Sequence, residues 1–336
     1  MNEARRRPLW PVALVLIIGL GTVTGLAFAH RQRAGGARIL KMAHGLDVEH
    51  PVHKAMVFMA ERVEKNSGGR LRIEVFPNGQ LGQEREFVEQ LQLGCMDMTK
   101  VSAASLESFV PEMGVFSVPY VFRDGPHFWR VMEGPVGRRF LAATEAKGLR
   151  GVCYYDSGSR NFYTIKKPVL TPDDLTGMKI RVMTSKTQME MAKALGASPT
   201  PIPWGELYTA LQQGVVDGAE NNPPSFITAR HYEVCKFFSL DEHTRVPDVV
   251  LISDVVWKSL DAEQQKALQD AADASSVYQR ELWTRMTQES LDRAVAEGVK
   301  IERPDQAPFV AKVQAMHAGY HGTPIGQVLE EIRATP

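Results

Sequence analysis

The stretch Leu71-Arg72-Ile73-Glu74-Val75-Phe76-Pro77-Asn78-Gly79 guides the interpretation of the fold. Its apolar side chains alternate with the residues between them, which predicts a strand, and the closing Pro-Asn-Gly turns the chain. Before it, the segment from His53 has apolar residues at helical spacing and stops at Ser67-Gly68-Gly69, and Ile39–Ala43 is an earlier strand. After it, a short amphipathic helix ends at Gly94. This β-α-β-α order predicts an α/β sheet with helical crossovers.

A second region repeats the same order. The predicted strand Met178–Val182 is followed by two helices, the second of which ends at Gly214. Both regions contain the pattern Leu-Gln-x-Gly-x-x-Asp, at Leu91–Asp97 and at Leu211–Asp217. Each glycine is expected just past a helix end, where left-handed backbone is needed. Because 336 residues exceed one typical domain, the sequence predicts two lobes of similar construction.

The last third of the chain is helical in pattern. Asp261 and Gln264 have capping-box spacing, and no Pro or Gly follows until Gly298. A helix of this length can span more than one lobe and brace them. A short strand at Val299–Ile301 and a final helix after Pro308 complete the prediction.

Composition and charge exclude several classes of protein. Hydrophobic residues make up 44% and charged residues 23%, as in ordinary globular proteins. Lys+Arg number 39 and Asp+Glu number 39, so the formal net charge is +0. A chain without net positive charge lacks the electrostatic basis of nucleic-acid binding.

The N-terminus predicts export. Arg5, Arg6 and Arg7 precede an apolar run from Leu9 to Ala29 that closes on small residues, which is the layout of a signal peptide at residues 1–29. The run is also long enough for an uncleaved membrane anchor. No other segment is long and apolar enough to span a bilayer, so a cleaved form has no direct membrane span. The predicted location is the periplasm.

Catalytic and metal-binding signatures are missing from the sequence. It contains no nucleophile elbow, phosphate loop, zinc-protease helix or Cys-x-x-Cys pair. His50 and His53 have a metal-ligand spacing, but without a nearby cluster of Cys or carboxylates a helix-start pair is the favoured interpretation. The three cysteines allow at most one disulfide bond, and each is expected to be a small buried residue. No metal, cofactor or enzymatic activity is predicted.

Isolated polar groups fall at predicted strand ends and loops. Arg181 lies within an apolar strand, where an unpaired guanidinium is costly, so it is expected to meet a carboxylate of the protein or of a ligand. Arg160, in a loop-like segment, raises the same question, with a structural ion pair as the simpler alternative. Asn221 and Asn222 directly follow a predicted strand, where α/β sheets bind ligands, although a plain Asn-Pro turn explains them equally well.

Four separated segments together resemble one family of transport proteins. They are His44–Pro51, Phe76–Gly82, Gly177–Val182 and Asp217–Asn221. In this order they are similar to the extracytoplasmic solute receptors of tripartite ATP-independent periplasmic (TRAP) transporters, the dicarboxylate-receptor-like family. The match covers nearly the whole chain after the leader.

The resemblance implies two α/β lobes of the periplasmic-binding-protein type, joined by hinge strands and closing on a ligand. The first lobe is expected at residues 38–159, with C-terminal segments from about 254–336 packing across both lobes. The second is expected at 160–253, and the long spanning helix at 257–298.

The resemblance also implies roles for particular residues. Arg181 is expected to pair with a ligand carboxylate, Arg160 to assist it, and Asn221 to form a hydrogen bond with the ligand. The first-lobe contacts fall by position near three polar residues: His44, Glu84 and Lys100.

The implied function is delivery of a small carboxylate to the membrane permease subunits of an ion-driven transporter. Segments 98–102, 198–201 and 219–222 are most similar to receptors for hexuronates such as glucuronate and galacturonate. The alternatives are a receptor for a C4-dicarboxylate or another organic acid, and a periplasmic sensor module of the same fold. A hydrolase or lyase for acidic sugars is the enzyme alternative, and it lacks a recognisable nucleophile-base pair.

Overall fold

The computed structural model describes residues 36–336, so the predicted leader at residues 1–29 lies outside the described residues. The strands form two separate sheets, one of five strands and one of six, with helices packed around both. This arrangement confirms the predicted two-lobed α/β fold. Within residues 36–336, none of the helices combines the length and the apolar character needed to span a membrane.

Eleven strands build the two sheets. In chain order they are β1 (Arg38–Ala43), β2 (Leu71–Phe76), β3 (Met98–Ser102), β4 (Leu149–Tyr155), β5 (Arg160–Thr164), β6 (Lys179–Val182), β7 (Ser198–Pro201), β8 (Gly218–Asn221), β9 (Phe237–Thr244), β10 (Asp248–Ser253) and β11 (Lys300–Glu302). The first lobe contains the sheet β2-β1-β3-β10-β4 and the second lobe contains β11-β9-β5-β8-β6-β7.

Thirteen α-helices are found among the described residues. They are α1 (Pro51–Asn66), α2 (Glu84–Gln92), α3 (Ala103–Leu106), α4 (Gly125–Glu133), α5 (Pro135–Ala143), α6 (Lys186–Ala194), α7 (Leu207–Gln212), α8 (Pro223–Thr228), α9 (Asp254–Lys258), α10 (Ala262–Ala296), α11 (Ala307–Lys312), α12 (Gln314–Gly319) and α13 (Pro324–Ala334). Short 3-10 helices lie at five further places: Pro111–Ser117, Thr144–Lys147, Pro172–Leu175, Trp204–Glu206 and His231–Glu233.

The two sheets share one construction. The order β2-β1-β3-β10 in the first lobe matches β7-β6-β8-β5 in the second, with three parallel strands followed by an antiparallel one. The repeated sequence pattern explains part of this likeness. Gly94 and Gly214 both have left-handed backbone, with φ of 69° and 68°. The pattern's aspartates make the same contact: the N–H of Lys41 donates to Asp97 Oδ2 at 2.8 Å, and the N–H of Lys179 donates to Asp217 Oδ2 at 2.9 Å.

The chain crosses between the sheets at residues 156–159 and again at 245–247. The second crossing corrects the predicted second lobe, 160–253, because β10 pairs with β3 and β4 in the first sheet. The residues of β10 are buried throughout, with Val249 and Leu251 in one core of the first lobe and Val250 and Ile252 in another. Such an apolar run is typical of a fully buried strand, and its sequence does not indicate which sheet it joins.

The long helix α10 has 35 residues, a length of roughly 50 Å. Its predicted capping box is confirmed, since Asp261 and Gln264 each accept a hydrogen bond from the other's backbone N–H. The predicted range 257–298 begins too early, because residues 254–258 form the separate helix α9. Leu268 of α10 packs in the first lobe and Ala294 in the second, so the helix braces both.

The end of the chain also packs on both lobes. The single final helix predicted after Pro308 is three short helices, interrupted at Val313 and again by a turn at Gly322, whose φ is 75°. Phe309 packs in the core of the second lobe, whereas Leu329 packs in the core of the first.

The three cysteines are all free thiols. Cys153 and Cys235 are buried, as expected, and burial raises the pKa of both thiols above the ordinary value. Cys95 is exposed, contrary to the expectation. It follows the helix-ending Gly94, in the turn that leads from α2 to β3, and therefore lies at the surface.

Candidate ligand-binding cleft

A cleft of about 360 Å³ lies between the two lobes. This volume is near the lower end of the range of about 300–1,000 Å³ that is common for small-molecule sites. Both lobes contribute charged and polar side chains to its walls. They include Gln83, Glu84, Lys100 and Asp248 from the first lobe, and Arg160, Arg181, Trp204, Asn221 and Ser225 from the second.

Arg181 is a buried cation at the cleft. It lies on β6, between β7 and β8, and only 2% of its surface is exposed. Its Nε donates to the carbonyl oxygen of Ile202 at 2.8 Å, while its Nη1 is buried without a hydrogen-bond partner among residues 36–336. The described part of the chain offers it no carboxylate within 4.0 Å. Burial lowers the pKa of Arg181, but a guanidinium stays charged, so this site has an unsatisfied positive charge.

Arg160 has protein partners. Its Nη2 donates to Glu220 Oε1 and to the Glu220 carbonyl oxygen, each at 2.8 Å, and its Nε donates to Glu220 Oε2. Burial alone would raise the pKa of Glu220, but Arg160 and His243 beside it lower that pKa to about 2. The structural ion pair considered for Arg160 therefore exists, and Arg160 still lines the cleft.

Asn221 is held in one orientation by two donors. Its Oδ1 accepts a hydrogen bond from Arg160 Nη1 at 2.9 Å and another from the backbone N–H of Asn222 at 2.9 Å. Because both partners can only donate, this atom must be the oxygen, and Nδ2 is left as a donor at the cleft. The alternative prediction of a plain Asn-Pro turn applies to Asn222 and not to Asn221. The Asn222 side chain caps α8 by accepting a hydrogen bond from the N–H of Ser225 at 2.9 Å.

The first-lobe wall contains a cluster of three charges, Glu84, Lys100 and Asp248. Lys100 Nζ lies 3.3 Å from Glu84 Oε1 and 3.1 Å from Asp248 Oδ1. Burial opposes the charge on Lys100, but the two carboxylates outweigh it and raise its pKa. Glu84 also accepts from the N–H of Ser102 at 3.1 Å and from Ser105 Oγ at 2.5 Å. Glu84 and Lys100 both line the cleft, and so does Asp248.

His44 lies behind the cleft wall. Its neighbours Gly45 and Leu46 line the cleft, but His44 is not among the lining residues. Its ring contacts His53 Nδ1 at 2.9 Å and accepts a hydrogen bond from the N–H of Leu46 at 3.1 Å. Burial, together with His53 and Lys100, lowers its pKa to about 3, so the ring is neutral.

The His50 and His53 pair does not share a site. The His50 ring caps α1 and contacts Ser225 Oγ of the second lobe at 3.1 Å, whereas the His53 ring contacts His44. Among residues 36–336 no group of three or more His, Cys, Asp or Glu side chains has the arrangement of a metal site.

Several side chains make contacts between the two lobes, and sequence reasoning missed them. Gln83 Oε1 in the first lobe accepts from the N–H of Gly205 in the second at 3.2 Å. Glu107, just after α3, accepts from Thr187 Oγ1 at 2.7 Å at the start of α6. Trp204 packs against the cores of both lobes. Each residue is ordinary in its local sequence, so only the tertiary structure identifies these contacts.

The cleft combines a cationic wall in one lobe with a mixed donor and acceptor wall in the other. A guanidinium binds carboxylates in bidentate fashion, and the opposite wall suits a neutral polar group. Enclosure between two lobes excludes water and strengthens such contacts. These features define a two-lobed receptor for a small solute.

Known proteins that are similar to this chain also belong to the class of two-lobed solute receptors. The family model described as "Bacterial extracellular solute-binding protein, family 7" (DctP) matches residues 42–322. The protein YiiZ of Salmonella typhimurium is 42% identical over 291 residues, which cover 86% of this chain and 89% of YiiZ.

Solved structures are similar over the same span. A TRAP periplasmic solute binding protein from a Bradyrhizobium species, in complex with α/β-D-galacturonate, is 40% identical with a TM-score of 0.86, covering 89% of this chain and 100% of that one. The corresponding protein of Xanthobacter autotrophicus Py2, with bound β-D-galacturonate, is 38% identical with a TM-score of 0.85, covering 88% and 100%. The chain belongs to the bacterial extracellular solute-binding protein family 7 and is a TRAP-type solute receptor.

Proposed function

We propose that this protein is the periplasmic receptor for a hexuronate, such as galacturonate or glucuronate, and delivers it to the membrane permease subunits of a TRAP transporter. The observation that carries the proposal is Arg181, a buried cation at the cleft with no carboxylate partner among the described residues. A ligand carboxylate would supply that partner. Asn221 Nδ2 and one N–H of Arg160 add donors on the same wall.

The ligand class is supported from two directions. The two structures compared above hold galacturonate. In this chain, the cluster of Glu84, Lys100 and Asp248 faces the cationic wall and offers both donors and acceptors, which suits the hydroxyl groups of a sugar acid. Binding and release without reaction is the proposed role, so the protein is not an enzyme.

Hexuronates are expected to raise the melting temperature of the purified protein. At a ligand concentration of one hundred times Kd, binding adds about 2.7 kcal/mol to the free energy of unfolding. The measurement is a thermal-shift screen with D-galacturonate, D-glucuronate, succinate and the neutral sugar galactose. Shifts of several degrees are expected for the uronates, and none for galactose, which lacks the carboxylate.

The same screen separates the alternatives. A larger shift with succinate than with either uronate would replace the hexuronate proposal with the dicarboxylate receptor. Recovery of chemically altered uronate after incubation would favour the enzyme alternative instead.

Ligand binding is also expected to change the fluorescence of Trp204. This side chain is half-buried at the cleft, packs against both lobes and lies 6.0 Å from the Arg181 guanidinium, so closure around a ligand alters its surroundings. A galacturonate titration should give a saturable emission change that Trp204→Phe removes. Trp257→Phe is the matched control, because Trp257 packs in the first lobe away from the cleft. A signal retained in Trp204→Phe and lost in Trp257→Phe would contradict closure at this position.

A further inference from the structure

Asp248 is a buried acidic residue of the cleft that the sequence did not single out. It begins β10, directly after the crossing at residues 245–247, and 4% of its surface is exposed. Its Oδ1 is held by Lys100 Nζ at 3.1 Å, and its backbone is fixed between Ser102 of β3 and Tyr155 of β4. The carboxylate therefore has a rigid position on the first-lobe wall.

The two carboxylates of the cluster differ in their remaining capacity to accept hydrogen bonds. Glu84 uses both oxygens within its own lobe, toward Lys100, Ser102 and Ser105. Asp248 Oδ2 receives no hydrogen bond from residues 36–336. This oxygen is not fully buried, and because Asp248 lines the cleft, we infer that Oδ2 faces the cleft. An ionised carboxylate oxygen has two acceptor sites. Within this cluster, Asp248 is thus the carboxylate that keeps one oxygen free to accept from a ligand.

Lys100 complements Asp248 as a donor. Its ammonium group has three N–H bonds, and the two carboxylates use two of them. A ligand hydroxyl can donate to Asp248 Oδ2, and a hydroxyl oxygen can accept from the remaining N–H. A second carboxylate cannot donate, and it would meet a cluster whose net charge is negative. Like charges placed together in an interface cost several kcal/mol.

We propose that Asp248 is the specificity-determining residue of the cleft, reading a ligand hydroxyl and rejecting dicarboxylates. The inference rests on the proposed function and deepens it, because it names the group that separates hydroxyl-bearing acids from C4-dicarboxylates. Arg181 serves both kinds of ligand, since each has a carboxylate for it. Discrimination between the two kinds of ligand therefore comes from Asp248 on the first-lobe wall, opposite Arg181.

The experiment compares galacturonate and succinate on the wild-type protein and on Asp248→Asn by calorimetric titration. The substitution keeps the shape and removes the charge. Galacturonate affinity is expected to fall at least tenfold, since hydrogen bonds to charged groups are worth about 1.5–3 kcal/mol. Succinate affinity should stay the same or rise, so the ratio of the two affinities falls at least tenfold.

Two control variants isolate the effect. Glu84→Gln removes the other carboxylate, whose oxygens are already engaged in the protein, and should lower the galacturonate-to-succinate ratio less than Asp248→Asn does. Asp273→Asn removes a charge from the exposed face of α10 and should leave the ratio unchanged.

A pH titration of the wild-type protein tests the same point without a substitution. Asp248 faces Lys100, Glu84 and Arg160; burial raises its pKa to about 6, with Glu84 adding to the rise and the two cations opposing it. The Asp248 carboxylate is ionised above that pH, and it loses its negative charge by protonation as the pH falls. If the ionised form is required, galacturonate binding weakens about tenfold between pH 7 and pH 5. The ligand carboxylate, with an ordinary pKa of about 4, stays largely ionised throughout.

The outcomes are distinguishable. Galacturonate binding to the wild type with an unchanged ratio in Asp248→Asn and a flat pH profile overturns this inference and leaves the proposed function standing. Absence of hexuronate binding to the wild type overturns both. If Asp248→Asn does not fold, the wild-type pH profile decides: a loss of binding below pH 6 supports the inference, and a flat profile contradicts it.

Discussion

Replacing Arg181 by Met is expected to weaken hexuronate binding by about 2–5 kcal/mol, or roughly thirtyfold to several thousandfold, without lowering the stability of the free protein. The ligand would lose the only cation of the cleft that has no acidic partner among the described residues. The free protein would lose a desolvated charge while keeping a side chain of similar shape. Calorimetric titration and urea unfolding measure the two effects.

Two further variants sharpen this test. Arg181→Lys keeps the charge but loses the bidentate fork, so affinity should fall at least tenfold, or about 1.4 kcal/mol. Arg285→Met removes an exposed arginine of α10, which pairs with Glu289, and should leave binding unchanged. A folded Arg181→Met variant that binds as well as the wild type would show that Arg181 is not the carboxylate-binding group.

Glu220→Gln is expected to lower the free energy of unfolding by about 3–5 kcal/mol, because it leaves Arg160 as an uncompensated buried charge. His243 would also lose a neighbour, since its Nε2 lies 3.5 Å from Glu220 Oε2. Beside Asp241 and Glu220, the pKa of His243 is raised to about 9 despite burial, so it is charged at neutral pH. Urea unfolding at neutral pH gives the change in stability.

The pH dependence of stability provides an independent check on Glu220. Its pKa is lowered from 4.5 to about 2 in the folded protein. The ionised carboxylate therefore stabilises the fold fully above pH 4.5, and this contribution is lost as the pH falls toward 2. Glu220→Gln should lack that part of the acid transition. The exposed substitution Glu289→Gln should change stability by less than about 0.5 kcal/mol, and an equally small effect of Glu220→Gln would contradict the buried ion pair.

Local patterns in the sequence predicted the elements well. The alternation in Leu71–Phe76, the glycine that ends α2 and the capping box of α10 each follow from short-range physics, and each is present in the structure. The sequence also indicated that the two lobes are alike, through the repeated Leu-Gln-x-Gly-x-x-Asp pattern. In the structure the aspartate of that pattern accepts a hydrogen bond from a backbone N–H in both lobes.

The assignment of strands to lobes required tertiary information. The run Val249–Ile252 is apolar at every position and is buried on both faces of its sheet. The sequence of such a strand indicates where the strand starts and ends, but it does not indicate which of the two sheets the strand joins. The predicted lobe boundary therefore placed β10 with the wrong sheet.

The site was predictable where a single residue conflicts with its surroundings. Arg181 is a charged residue in an apolar strand, and that conflict predicted that its guanidinium needs an anionic partner. Asp248 raised no such conflict, because an aspartate before a strand is ordinary, and only the pairing of β10 with β3 brings it to Lys100. His44 was placed by resemblance, and its ring contacts His53 instead of lining the cleft.

A crystal structure of the protein with D-galacturonate tests whether Arg181 binds the ligand carboxylate between the two lobes. The predicted result is a ligand enclosed between the lobes, with both carboxylate oxygens about 2.7–3.1 Å from the Arg181 guanidinium and a hydroxyl donating to Asp248 Oδ2. A galacturonate carboxylate bound at Lys100, with Arg181 left without an anion, would show that Arg181 is not the carboxylate-binding group.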